Sequence, residues 1–104
     1  MEQFRIIYKI LKVLCASMEH EEFDNAWISA ETLGVSEAMW EAIMKMLVDN
    51  AYIEGVIAME EMHGNFSIKL IRPRITLKGL EYLEDNSMMK KAAKAAKGII
   101  DVIV

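Results

Sequence analysis

The sequence predicts a mainly helical α+β fold, and three observations lead to it. An amphipathic helical segment opens the chain, two short helical segments separated by a glycine follow, and two apolar segments of strand character come next. Two further helical segments complete residues 1–104, which contain no linker or internal repeat. This order predicts a single winged helix-turn-helix domain with a C-terminal helical extension.

The first helix is predicted over residues 3–18, and its apolar arc is wide. Ile6, Ile10 and Val13 form a second apolar stripe beside the main one. The main stripe comprises Phe4, Ile7, Tyr8, Leu11, Leu14, Cys15 and Met18. An arc of this width usually contacts two partners. We expect the main stripe to face the core and the second stripe to face another helix or a second subunit.

A helix-turn-helix is predicted over residues 29–50. Ser29 is a good N-cap for a brief helix, and Gly34 is suited to end it. Ser36 then caps a longer helix, which is the second helix of the motif. Just before the motif, the apolar pair Trp27-Ile28 predicts a short strand.

A β-hairpin, which we call the wing, is predicted over residues 52–72. Two segments of strand character flank a polar loop there. We expect Arg72-Pro73-Arg74 to end the hairpin, because proline cannot donate to a β-ladder. Helices are then predicted over residues 76–85 and 87–104.

Several of these segments resemble the YjcQ-like family of small phage and bacterial proteins. The residues that carry the resemblance are Leu33-Gly34-Val35-Ser36, Leu47, Tyr52-Ile53, Ile75-Thr76-Leu77-Lys78-Gly79-Leu80-Glu81-Tyr82-Leu83 and Glu84-Asp85-Asn86-Ser87. The resemblance covers nearly the whole chain, and residues 75–87 are its most specific part. It implies a winged-helix fold and a phage or prophage context. Since the function of that family is unassigned, it implies no catalytic residues.

Composition narrows the class of protein. The formal net charge is −4, so the chain as a whole lacks the basic balance of a strong nonspecific nucleic-acid binder. The lone Cys15 can form neither an internal disulfide nor a metal cluster. No uncharged apolar run approaches the ~20 residues of a membrane-spanning helix. Lys9 and Lys12 interrupt any signal-peptide core, so we expect a cytoplasmic protein without membrane contacts.

The motifs of catalysis are missing from the sequence. There is no glycine-rich phosphate loop, no serine-centred elbow and no metal-ligand spacing. The histidines lie in separate polar loops, and the paired carboxylates Glu21-Glu22 and Glu60-Glu61 are also in loops. Such groups are usually solvated. We therefore expect no enzyme activity, no metal and no cofactor.

Charge is distributed unevenly over the candidate DNA-binding elements. The predicted exposed face of the second motif helix carries Glu37, Glu41 and Asp49 against one base, Lys45, with Met44 at its edge. Phosphates repel such a surface. In contrast, no acid lies between residues 62 and 80, where the wing and its flank supply bases. The candidate contacts to double-stranded DNA are Lys69, Arg72, Arg74, Lys78 and Lys45.

Self-association is the second interaction that the sequence predicts. The last helix has an alanine- and isoleucine-rich face, and its end is too apolar for a free tail. This face can dock within the chain or meet a second copy. The candidate residues of a homodimer interface are Ile6, Ile10, Val13, Ile99, Ile103 and Val104.

Two functions remain open at this point. One is a DNA-binding winged-helix regulator, which the wing bases favour. The other is a winged-helix module for protein contacts, which the acidic second helix of the motif favours.

Overall fold

A computed structural model describes residues 2–62 and 66–86 of the chain. The elements are α1 (Glu2–Ala16), a 3₁₀ turn (Ser17–Glu19), a 3₁₀ helix (Asn25–Ile28), α2 (Ala30–Leu33), α3 (Glu37–Asp49), β1 (Ile53–Glu60), β2 (Phe66–Ile75) and α4 (77–86). The strands pair antiparallel as a hairpin. The predicted mainly helical α+β class with a winged-helix arrangement is confirmed. The predicted helix 87–104, with Ile99, Ile103 and Val104, lies outside the described residues.

The helix-turn-helix forms through the capping residues that the sequence indicates. The Ser29 hydroxyl accepts a hydrogen bond from the Thr32 amide at 3.2 Å, which caps α2. Gly34 ends α2 in the left-handed conformation with a φ of 73°. The Ser36 hydroxyl accepts from the Met39 amide at 3.1 Å and caps α3. The tight turn between the helices is therefore fixed by local chemistry.

The strand predicted at Trp27-Ile28 is wrong, because this segment is a 3₁₀ helix. A carboxylate oxygen of Asp24 accepts from the Ala26 amide at 2.9 Å and starts the turn. Side-chain capping of this kind offers the backbone an alternative to a ladder. Ile28 is nonetheless fully buried, so its apolar character reports burial and not strand formation. In the part of the chain that is described, the sheet has two strands.

A buried hydrogen bond joins this 3₁₀ helix to α3. The indole Nε1 of Trp40 donates to the Ile28 carbonyl oxygen at 2.7 Å. Trp40 itself is buried among the core side chains. The bond satisfies a carbonyl that has left water, and leaving such a group unpaired costs about 1–3 kcal/mol. It therefore fixes how the 3₁₀ helix sits against α3.

The predicted end of the hairpin at Arg72-Pro73-Arg74 is also wrong, since β2 continues to Ile75. Glu54 pairs with Arg74 and Val56 pairs with Leu70, so Gly55 alone faces three residues of β2 across a β-bulge. Proline is tolerated where a bulge interrupts the ladder. Gly55 has a φ of 79°, and a Cβ there would overlap the carbonyl oxygen of Arg72. The bulge thus requires glycine.

The first helix faces the core with residues of both predicted stripes, since Leu11 and Leu14 of the main stripe are fully buried as predicted. Ile6 and Ile10, which belong to the second stripe, are 3% and 0% exposed. Phe4 and Met18 of the main stripe are instead exposed. The buried centre of the arc is therefore rotated toward the second stripe. The prediction that Ile6 and Ile10 face a second subunit is wrong, because the chain's own core covers them. The core of the described residues comprises Ile6, Ile10, Leu11, Leu14, Ile28, Leu33, Trp40, Ile43, Met44, Leu47, Ile53, Val56, Ile75 and Leu83.

Helix α4 is attached to the base of the hairpin by Thr76. Its hydroxyl accepts from the Gly79 amide at 3.1 Å, which caps the helix. The same hydroxyl donates to the Ala51 carbonyl at 2.6 Å, in the turn between α3 and β1. Leu83 then brings α4 into the core.

The two left-handed glycines give a matched test of the bulge. Gly55→Ala should lower the free energy of unfolding by at least about 2 kcal/mol, because it adds a backbone overlap to the cost of a left-handed alanine. Gly34→Ala has the same φ class but nothing within 4 Å of the new Cβ, so only the conformational cost of about 1–2 kcal/mol applies. Urea denaturation measures both values. A smaller loss for Gly55→Ala than for Gly34→Ala would contradict the bulge geometry.

Candidate functional site

The exposed face of α3 is small and apolar at its centre. Ala38, Ala42 and Met46 are exposed along one side of the helix, and Glu37 and Asp49 are exposed at its two ends. Met44 is fully buried, so its predicted place at the edge of this face is wrong. The buried side of α3 includes Trp40 and Met44, whereas Met39 is only partly buried. We call Ala38, Ala42 and Met46 the α3 strip.

Lys45, the one base of this helix, is bound to an acid of the same helix. Its Nζ lies 2.7 Å from a carboxylate oxygen of Asp49, one turn further on. This hydrogen bond and the charge of Asp49 raise the pKa of Lys45, and the charge of Glu60 adds to the effect. The ammonium also lies 5.8 Å from the centre of the Phe66 ring. Lys45 therefore brings no unpaired positive charge to the α3 surface.

The wing bases differ in how free their charges are. Arg74 forms an ion pair with Glu54, directly across the hairpin, at 3.2 Å. Lys69 and Arg72 are exposed and have no ion-pair partner among the described residues. Because exposed ion pairs are weak, Arg74 is partly neutralised and not immobilised. The predicted wing cluster thus reduces to two unpaired cations.

Lys78 lies apart from the wing surface, at the base of the hairpin. Its Nζ is 5.4 Å from the centre of the Tyr52 ring, a distance typical of a cation–π contact. Tyr52 in turn packs against Tyr82 of α4 with ring centres 5.4 Å apart. Burial and the neighbouring Tyr52 raise the pKa of Tyr82. Lys78 therefore contributes to the attachment of α4.

The outward face of the wing combines bases with apolar side chains. Ile57, Met59 and Ile71 are each about half exposed there. Lys69 lies opposite Ile57 in the register. A surface that mixes exposed apolar groups with charge is more typical of a protein contact than of a phosphate contact.

The predicted self-association residues are separated by the structure. Ile6 and Ile10 are in the core, and Val13 is half-buried at its edge. Near this edge, a shallow pocket lies between α1 and α4, lined by Tyr8, Lys12, Cys15, Leu80, Leu83 and Glu84. Of the predicted interface residues in the described part, Val13 alone retains partial exposure.

A groove of about 600 Å³ lies beside β2 in the described part of the chain. One wall is formed by the end of α1 and the segment that follows it, and the other wall is formed by residues Ile71 to Ile75. Glu21 and Glu22 line the first wall, and Arg72 and Arg74 line the second. The sequence predicts that these arginines face DNA. In the structure they lie on β2 and line this groove.

Over residues 2–62 and 66–86, no group of three or more His, Cys, Asp and Glu side chains could hold a metal ion. No helix in those same ranges is long and apolar enough to cross a membrane.

Sequence reasoning missed the acids that bind the candidate bases. The pair of Lys45 and Asp49 has i,i+4 spacing on a predicted helix, so the signal was present in the sequence. The pair of Arg74 and Glu54 depends on the hairpin register, which the bulge shifts. The contact of Lys78 with Tyr52 depends on how α4 docks, and no local pattern indicates that.

Comparison with known proteins identifies a family. The family model described as YjcQ protein matches residues 8–102. No curated protein and no solved structure matches the chain. The match spans nearly the whole sequence, in agreement with the resemblance seen in the glycine turn and the segment around α4. The chain belongs to the YjcQ protein family.

Proposed function

We propose that the chain is a non-enzymatic winged-helix module that binds a protein partner through the α3 strip. The observation that carries the proposal is the surface of α3, where Ala38, Ala42 and Met46 are exposed and the only base is paired with Asp49. In a helix-turn-helix this is the helix that enters the major groove. An apolar strip flanked by acids suits a protein surface better than the phosphates that border the groove.

The small side chains of the strip favour a helix or a flat surface as the partner. Alanine at positions 38 and 42 allows close approach of a second backbone. Met46, which is 45% exposed, provides a flexible apolar contact that adapts to the partner's shape. The flanking acids Glu37 and Glu41 favour a partner with bases around an apolar centre.

Site-specific crosslinking tests the strip in cells that produce the full chain. A photoreactive amino acid at position 42 should crosslink to a discrete partner, and the same group at Lys9, on the exposed polar side of α1, should not. Met46→Lys should reduce the position-42 crosslink about fivefold or more, because it places a charge in an apolar contact. Equal crosslinking from both positions, or no effect of Met46→Lys, would contradict the proposal.

A DNA-binding regulator is the second candidate, and a specific observation favours it. Lys69 and Arg72 on the wing are exposed cations without an ion-pair partner among the described residues. Wings reach phosphates or the minor groove, where such groups bind. Under this reading double-stranded DNA is the ligand and α3 contributes little to affinity.

The salt dependence of DNA affinity distinguishes free from paired wing bases. If DNA is the ligand, Lys69→Ala with Arg72→Ala should flatten the slope of log affinity against log salt by about two units. Arg74→Ala should change the slope less than Lys69→Ala or Arg72→Ala alone, because Arg74 is already paired with Glu54. The measurement is fluorescence anisotropy with a labelled 30-base-pair duplex at several salt concentrations. Unchanged affinity and slope in the double variant would eliminate the wing as a DNA contact.

A homodimer and a phage or prophage setting complete the proposal. The setting is supported by the sequence resemblance around residues 75–87. The dimer is supported by the alanine- and isoleucine-rich sequence of residues 87–104 together with the partly exposed Val13, since Ile6 and Ile10 are used in the core. Sedimentation velocity of the full chain over a hundredfold concentration range should show a monomer–dimer equilibrium, and Val13→Glu should shift it toward monomer. A strict monomer at all concentrations would contradict the dimer.

A further inference from the structure

The edge of β2 that faces away from β1 has a carbonyl held by a side chain. The Asn25 amide donates to the Leu70 carbonyl oxygen at 3.2 Å. This bond shows that the Leu70 carbonyl points away from β1 and toward the segment between α1 and α2. In this segment the structure has a 3₁₀ helix where the sequence predicts a third strand, so a side chain replaces a backbone ladder.

Further along that edge, the alternation of bonded and non-bonded pairs in an antiparallel ladder shows which backbone groups of β2 point away from β1. The Thr76 amide donates to the Tyr52 carbonyl at 3.1 Å, and Ile75 lies directly opposite Ile53. Hydrogen-bonded and non-bonded pairs alternate, so the amide and carbonyl of Ile75 point away from β1. An edge with such groups is a template for another strand.

The same edge borders the groove of about 600 Å³. Asn25 and residues 71 to 75 are among the residues that line the groove. Met18, which is exposed, and Phe23, which is partly buried, supply apolar surface on the wall formed by the end of α1 and the segment after it. The groove therefore combines backbone hydrogen-bonding groups on one side with apolar contacts on the other, as peptide-binding grooves that add a strand do.

We propose that this groove binds an extended peptide segment of a partner protein, which adds to β2 as a third strand. Apolar side chains of the segment contact Met18 and Phe23, and one carboxylate pairs with Arg72. The inference rests on the proposed function only in making the partner a protein, since it uses a surface other than the α3 strip.

Charge decides the chemistry of the segment. Arg72 is exposed and has no ion-pair partner among the described residues, whereas Arg74 is shared with Glu54. A single carboxylate beside Arg72 is therefore favoured. Glu21 and Glu22 line the opposite wall and repel a run of acids. The segment is thus amphipathic and carries one acid, and a polyanion such as DNA does not fit the groove.

Selection from a phage-displayed library of random twelve-residue peptides tests the proposal. The bait is the full chain, and the Arg72→Glu variant serves for counter-selection. We expect the enriched peptides to alternate apolar and polar residues around one aspartate or glutamate. A synthetic copy should bind Arg72→Ala about two- to fivefold more weakly, as for an exposed ion pair. Lys9→Ala, which changes an exposed base of α1, should leave the affinity unchanged.

Amide hydrogen exchange reports the added strand directly. Saturation with the selected peptide should slow exchange of the Ile75 amide at least about tenfold, and a peptide with proline at its centre should not. The position-42 variant of the α3 strip should bind the peptide normally, so failure at α3 and failure in the groove are distinguishable. Selected peptides that leave the Ile75 amide unprotected, or no enrichment over the Arg72→Glu bait, would overturn the proposal.

Discussion

The close approach of Gly55 to the backbone of Arg72 sets the shape of the wing and of everything beside it. It shifts the register of the hairpin, so that Glu54 meets Arg74 and Pro73 lies where the bulge interrupts the ladder. The shift also carries Ile75 to the base of the sheet, where its side chain joins the core and Thr76 can cap α4. The wall of the groove, the pairing of Arg74 and the start of α4 all follow from one residue without a side chain.

Local pairing of charges explains why the formal charge of a segment is a poor guide to its binding. Residues 62–80 contain bases and no acids, yet Glu54 of the neighbouring strand lies against Arg74. On α3 the single base is held by Asp49. Among the described residues of α3 and the wing, the side chains left for a partner include the unpaired cations Lys69 and Arg72 and the α3 strip. These side chains resemble a protein-binding surface more closely than the count of bases in the sequence suggests.

The helical part of the fold was predictable because its signals are local. Ser29, Gly34 and Ser36 act within one turn of the residues that they cap, and the structure has the helices where these residues indicate. The failures depend on distant contacts. Trp27-Ile28 has strand character, but capping by Asp24 forms a 3₁₀ helix. The core side of α1 could not be chosen from two apolar stripes without knowing where α3 and the sheet lie. For the candidate site, the sequence indicates which bases are present. Which acid each base pairs with depends in part on the hairpin register, as for Arg74 and Glu54.

The 3₁₀ helix has a consequence for the order in which the chain folds. A third strand would have to wait for β2, some forty residues further along, before it gained any hydrogen bond. The 3₁₀ helix instead closes through bonds between Asp24, Ala26 and Ser29, and its bond to Trp40 spans twelve residues. Lower sequence separation of contacts favours faster folding. The contacts among α1, the 3₁₀ helix, α2 and α3 can therefore form before the wing does.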